Sequence, residues 1–347
     1  MKKLILLSNL VLVFISCSSN DSTNTVPTPI SITDNIYISG FERNNNNAYI
    51  AKYWKNGDSF NLTNATGVIS SANSIFEENN NLYVAGCSFS SSVTEPVYWK
   101  NNTRYLLPYP SVGGEADKIL ISGNDVYISG KTNIKWGKYN AVYWKNGILT
   151  ELTNWTNGTH DVNTVGIAVS GNDVYVAGNE TFNYSSTAKY WKNGIVHNLS
   201  YGTSLVTATG IALMGNDVYV SGFANVGGIT TALYWKNDIP INLSDGTHEA
   251  TTNDILIKEN DVYIVGSESN GTTNVAKYWK NNVSVNLANG TTSTSTCSIS
   301  ISGNDIYVLG NEYIANNTHL LYWKNGMTYN INTNNVVTPK SIFVKEN

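Results

Sequence analysis

Ala188-Lys189-Tyr190-Trp191-Lys192-Asn193-Gly194 is the stretch that decides the fold, because its centre, Tyr-Trp-Lys, occurs seven times. The copies end at Lys55, Lys100, Lys145, Lys192, Lys236, Lys280 and Lys324, and successive Trp residues lie 45, 45, 47, 44, 44 and 44 positions apart. Around each copy the same local signals recur. In the fifth repeat, Gly210-Ile211-Ala212-Leu213-Met214 is a short apolar run, and Gly215-Asn216-Asp217 is a turn signal. Val218-Tyr219-Val220-Ser221-Gly222 is β-branched and aromatic, as strands prefer. Ala232 to Lys236 and Ile239 to Leu243 supply two more strands across Asn237-Asp238. In four repeats that last turn is Asn-Gly, at Asn56, Asn146, Asn193 and Asn325, which suits a type I′ hairpin because both central residues need positive φ. No helix-period segment of useful length follows residue 17.

Each unit therefore reads as a four-stranded antiparallel meander, with strands A to D. A four-stranded unit repeated every 44 or so residues is the signature of a β-propeller, and seven copies predict seven blades. Side chains alternate faces along a strand. Adjacent Tyr234 and Trp235 should thus meet different neighbouring blades. The segment Ser341 to Asn347 resembles a strand A with nothing after it, while residues 34–40 open at strand B. Residues 341–347 are expected to complete the first blade and close the ring, with Ile30-Ser31-Ile32 as the rival for that slot.

The termini divide the chain into residues 1–16, 17–33 and 34–347. Lys2-Lys3 followed by the apolar run Leu4 to Ile15 has the form of a signal peptide and is too short for a comfortable membrane span. Phe14-Ile15-Ser16-Cys17 resembles a bacterial lipobox with Phe in place of the usual Leu. That resemblance implies an acylated Cys17 and a flexible lipidated tether over 17–33. Ser18 after the Cys resembles lipoproteins sorted to an outer membrane, and the Asn- and Thr-rich composition resembles surface lipoproteins of Bacteroidetes-type bacteria. The expected location is the cell envelope. Without Lys2 and Lys3, 19 basic residues face 25 acidic ones, a net charge near −6 with no basic stripe, so nucleic acid is not an expected partner. Cys87 and Cys297 fall in blades two and seven, with blade one between them, and no disulfide is expected.

No catalytic or cofactor motif is present: no Gly-x-Ser-x-Gly, His-Glu-x-x-His, Walker loop or EF-hand loop. The Asp of Gly-Asn-Asp (Asp125, Asp173, Asp217 and Asp305, with Asp261 equivalent) recurs too often for an active site and reads as turn chemistry. His160-Asp161 and His248-Glu249 occupy equivalent D-to-A connections and are weak candidate metal ligands, more simply read as solvated loop; His319 should share their face. His197 replaces the Ile241 of the next repeat on an outer strand. Departures from the repeat are more informative. Trp136 and Trp155 lie outside the Tyr-Trp-Lys copies, in loops of blades three and four that also carry Tyr139, Phe182 and Tyr184. These five aromatics are the candidate ligand-binding patch.

The copies Ala51 to Gly57, Ala141 to Gly147 and Ala188 to Gly194 resemble Trp-x-Asn-Gly extracellular repeats of bacterial secreted proteins, of which HAF-type repeats are an example. The resemblance spans nearly all of 34–347 and implies a propeller-type surface protein, with no catalytic residue to transfer. Asn101-Asn102, Asn237-Asp238 and Asn281-Asn282 depart from its Asn-Gly. The function expected is a non-catalytic, lipid-anchored envelope module, monomeric, without cofactor, taking glycan or protein on one face. The alternatives are a polysaccharide- or peptide-acting enzyme, for which Glu115, Asp161 and Glu249 are the candidate acids, and a structural subunit of an envelope complex.

Overall fold

The computed structural model describes residues 34–346, apart from 45–46, 64–68, 91–92, 111, 136–137, 156–159, 184, 204, 316 and 334. These residues form seven four-stranded antiparallel sheets. Blade five is representative, with strands A to D at Val206–Met214, Asp217–Val226, Ile229–Lys236 and Ile239–Asn242. In blade one the order is Val337–Glu346, Asp34–Arg43, Tyr49–Lys55 and Asp58–Asn61, so the last strand of the chain is strand A of the first sheet. Closure by the C-terminal strand is as expected, and that strand begins a few residues earlier than 341. Ile30-Ser31-Ile32 lies outside the described residues.

The two ends of the described chain are also fixed laterally. Asp34, buried, accepts a hydrogen bond from the Tyr307 hydroxyl of blade seven. On the other side, Lys345 in the closing strand reaches Glu77 of blade two, Nζ to Oε2 2.8 Å.

Each seam between blades holds one apolar cluster, and the repeated tripeptide makes it. Tyr234 packs forward with Ala250, Ile255 and Trp279 of blade six, while Trp235 packs backward with Ala177, Ala188 and Tyr190 of blade four. The same division holds at all seven seams, including Tyr322 of blade seven with Trp54 of blade one. Every one of these indoles is at most 2% exposed.

The Lys and Asn that follow have equally defined work. Asn237 has φ 49° and Asp238 φ 68°, the I′ geometry that holds in the other six C-to-D turns. The Asn237 Oδ1 accepts the Val218 amide at 2.9 Å and its Nδ2 donates to Asp217 Oδ1 at 2.7 Å. Asp217 Oδ2 pairs with Lys236 at 2.9 Å, and that ammonium lies 5.3 Å above the Tyr219 ring. Thus the recurrent Asp ties the A-to-B turn to the C-to-D turn in blades three to seven.

The innermost strands carry a feature without a sequence signature. In every blade the A–B register shifts by one residue, leaving a bulge at Asn73, Asp117, Val165, Thr209, Asn253, Cys297 or Lys340. Opposite each bulge, strand B has glycine: Gly40, Gly86, Gly130, Gly178, Gly222, Gly266 and Gly310. A Cβ there would sit 1.9–2.4 Å from a strand A carbonyl oxygen. The seven A strands surround a cavity of about 360 Å³ on the axis.

Candidate functional site

The meander puts A-to-B and C-to-D turns on one face of the ring, and B-to-C and D-to-A connections on the other. The turn face of blades three to seven is occupied by the repeated Asp–Lys–Asn arrangement. The loop face is where the blades differ from one another.

On the loop face of blade four, three rings form one stack. Trp155 lies on His160 with centroids 3.9 Å apart and planes 7° from parallel, and His160 lies on Phe182 at 4.4 Å and 13°. Phe182 ends strand B of this blade (Asp173–Phe182), and His160 immediately precedes strand A (Asp161–Ser170). Pairing of Asp161 with Thr181 brings the two rings together. Trp155 is held from blade three, where Asn140 Oδ1 accepts its backbone amide at 2.9 Å. His160 Nδ1 is 2.5 Å from Glu180 Oε1, so this nitrogen donates to the carboxylate. Lys189 pairs with the other Glu180 oxygen. The stack is anchored in the seam cluster of Val162 and Trp191 through Trp155. At its free end, Phe182 is 42% exposed.

Of the five aromatics expected to cluster, Trp155 and Phe182 are therefore joined, through a histidine that the sequence reading assigned to solvated loop. That reading is corrected: the His160 side chain is 18% exposed and sandwiched. Tyr139 is not part of the stack. It lies in the strand Lys138–Lys145 with the Lys131 ammonium 4.8 Å from its ring. Trp136 and Tyr184 lie outside the described residues, as does Cys17.

The candidate metal and acid residues are held by separate local partners. Asp161 is 3.9 Å from Lys138, and Glu115, inside strand A of blade three (Gly114–Ser122), is 3.2 Å from Lys131. Glu249 Oε2 accepts the Thr230 amide at 2.9 Å, and His248 Nδ1 is 3.0 Å from Thr247 Oγ1. Among the described residues no three His, Cys, Asp or Glu side chains are grouped to hold a metal ion. His319 is inside the strand Asn317–Lys324, opposite Glu312. His197 stacks on Tyr190 at 4.4 Å. Phe60, Tyr105 and Tyr329 stack in the same way on the matching Tyr of their own blades, so the imidazole serves as the flat partner of a repeated pair.

Two polar features were not singled out by sequence. Asp117, at the blade-three bulge, accepts from Thr164 Oγ1 at 2.7 Å; burial pushes its carboxyl up to about 6 against the opposing pull of Lys131 and Thr164. A cavity of about 640 Å³ opens at the seam of blades one and two on the turn face, lined by Tyr37, Tyr53, Lys55, Glu77 and Lys345 among others. Its signal in the sequence was a departure from the repeat at two lining positions, Asn35 and Glu77.

No protein-family model and no curated protein matches the chain. Solved structures with similar folds do exist. A prolyl endopeptidase structure superposes with a TM-score of 0.54 at 10% identity, covering 86% of this chain and 49% of that one. A puromycin-hydrolysing peptidase from Mycobacterium tuberculosis gives 0.51 at 9% identity, covering 87% and 52%, and a post-proline cleaving enzyme from Rickettsia typhi gives 0.51 at 10%, covering 86% and 52%. The chain spans about half the length of these proteins. At such identities the likeness is one of fold: a β-propeller scaffold.

Proposed function

We propose that this protein is a non-catalytic binding module of the cell envelope, held by a lipid at Cys17, which takes glycan or protein on its loop face. The observation that carries this reading is the Trp155–His160–Phe182 stack, a three-ring column whose outer ring is exposed. An aromatic face presented without internal freedom can receive the C–H face of a sugar or an apolar side chain at low entropic cost. Glu180, itself paired with Lys189, holds the middle ring, against which the outer one stacks. The propeller suits this role because seven packed seams leave its connections to vary without disturbing the core. The lipobox-like Phe14 to Cys17 supports the anchor, and the resemblance to secreted repeat proteins supports the compartment.

A glycan array probed with the protein and with Phe182→Ala tests the binding reading. Signals lost in the variant support it; a protein that binds no glycan, and captures no envelope protein in a pull-down sensitive to Phe182→Ala, overturns it. Labelling with a palmitate analogue, lost in Cys17→Ser, tests the anchor separately.

A further inference from the structure

The seam between blades one and two breaks the repeat at two positions, the first of which blade two shares. In blades three to seven an Asp at the start of strand B neutralises the Lys that ends strand C, at 2.7–3.0 Å. In blade one that position is Asn35, while Lys55 still lies over its ring, 5.3 Å from the Tyr37 centroid. Among the described residues no carboxylate is ion-paired with Lys55. Glu77 is a second break. Its register position in strand A is filled in the other blades by Ile121, Val169, Leu213, Ile257, Ile301 and Val344. It is 4% exposed and already matched by Lys345.

Lys55, Glu77 and Lys345 all line the 640 Å³ cavity, whose other walls include the Tyr37 and Tyr53 rings and the exposed amides of Asn80 and Asn102. Within the lining two ammonium groups accompany one carboxylate, and Asp58 stands across the ladder from Lys55 without pairing to it. The volume falls within the range of small-molecule sites. A cation beside aromatic faces and amides suits an anion that also carries hydroxyl groups.

We infer that this cavity binds a carboxylate-bearing sugar, of the uronic acid class, with the carboxylate on Lys55. The site is on the turn face and does not rest on the loop-face reading. The repeat itself supplies the decisive variants. Asn35→Asp rebuilds the arrangement of blades three to seven and neutralises Lys55 inside the cavity. Asn216→Asp adds the same charge in the exposed A-to-B turn of blade five, away from the lining.

Digalacturonate, titrated calorimetrically at up to millimolar concentration, is the probe, with neutral digalactose and inorganic phosphate alongside. The expected result is that digalacturonate binds the wild type and Asn216→Asp alike, and binds Asn35→Asp about tenfold or more weakly. Binding should survive Phe182→Ala, which separates this site from the loop face. The inference is overturned if the wild type does not bind digalacturonate, if digalactose or phosphate binds as well, if Asn35→Asp binds as the wild type does, or if Phe182→Ala abolishes the signal.

Discussion

Replacing Gly222 by alanine should cost more stability than any propensity scale suggests, and the structure says why. Gly222 has ordinary strand geometry, so backbone strain is not the issue. A Cβ on it would lie 2.2 Å from the Thr207 carbonyl oxygen and 2.6 and 3.0 Å from Cζ3 and Cη2 of Trp235. Neither obstacle can yield. Thr207 is fixed beside the bulge of strand A, and Trp235 is fully buried in the seam with blade four. Overpacking a filled core costs about 1–3 kcal/mol, and here backbone must move as well, so a loss of about 3 kcal/mol or more is expected. Gly147→Ala is the control. Gly147 has φ +78° with no atom near its Cβ position, so that change carries only the left-handed penalty of about 1–2 kcal/mol. Guanidinium denaturation of both variants measures the difference as a shift in midpoint at constant slope. A Gly222→Ala variant within about 0.5 kcal/mol of wild type, or less damaged than Gly147→Ala, would refute the bulge-and-glycine account of the inner strands.

Other consequences follow from the seams and the charges. Trp279→Ala should cost about 3–5 kcal/mol by denaturation, since the ring is 1% exposed and central to the seam of blades five and six. Asp117 has a folded pKa raised to about 6, so it stabilises below its unfolded value near 3.8 and that contribution is lost as pH rises towards 6. Asp117→Asn should therefore raise stability at pH 7 by about 1–3 kcal/mol and flatten the dependence between pH 4 and 6, as followed by unfolding at several pH values. The turn carboxylates Asp125, Asp173, Asp217, Asp261 and Asp305 are shifted the opposite way by their Asn and Lys partners. Their contribution is present above the usual carboxylate range and disappears on acidification below it, so the native signal in circular dichroism should fall at low pH.

Much of the fold is legible because each residue of the repeat has one job repeated seven times. Tyr and Trp in adjacent positions must face opposite sides of a strand, and only stacked sheets bury both. The terminal segment read as a strand A, and it pairs as strand A of blade one. The bulges were not legible: Asn73, Asp117, Val165, Thr209, Asn253, Cys297 and Lys340 share no chemistry, because the bulge is accommodated by the glycine across the ladder and not by the residue that bulges. Strand-B glycines were visible in the sequence, but a glycine in a strand is commonly a weak point, and the carbonyl approaching it belongs to a different strand. The loop-face stack was half legible. Trp155 and Phe182 stood out as departures from the repeat, while His160 did not, since only the pairing of Asp161 with Thr181 places it between them. Glu77 was hidden for a related reason: its partner, Lys345, is 268 residues away and adjacent only because the ring closes.

Closure is the claim on which both faces and both cavities depend, and removing residues 337–347 tests it most directly. The truncated protein loses strand A of blade one, with it the Val344 amide bond to Ser300 Oγ at 2.9 Å and the Lys345 pair with Glu77. Denaturation of the truncated chain, alone and with a synthetic peptide of residues 335–347 added, is the measurement. The structure predicts a large drop in midpoint that the peptide restores in a concentration-dependent way. An unchanged midpoint, or a drop that the peptide does not repair, would contradict a ring closed by its own C-terminal strand.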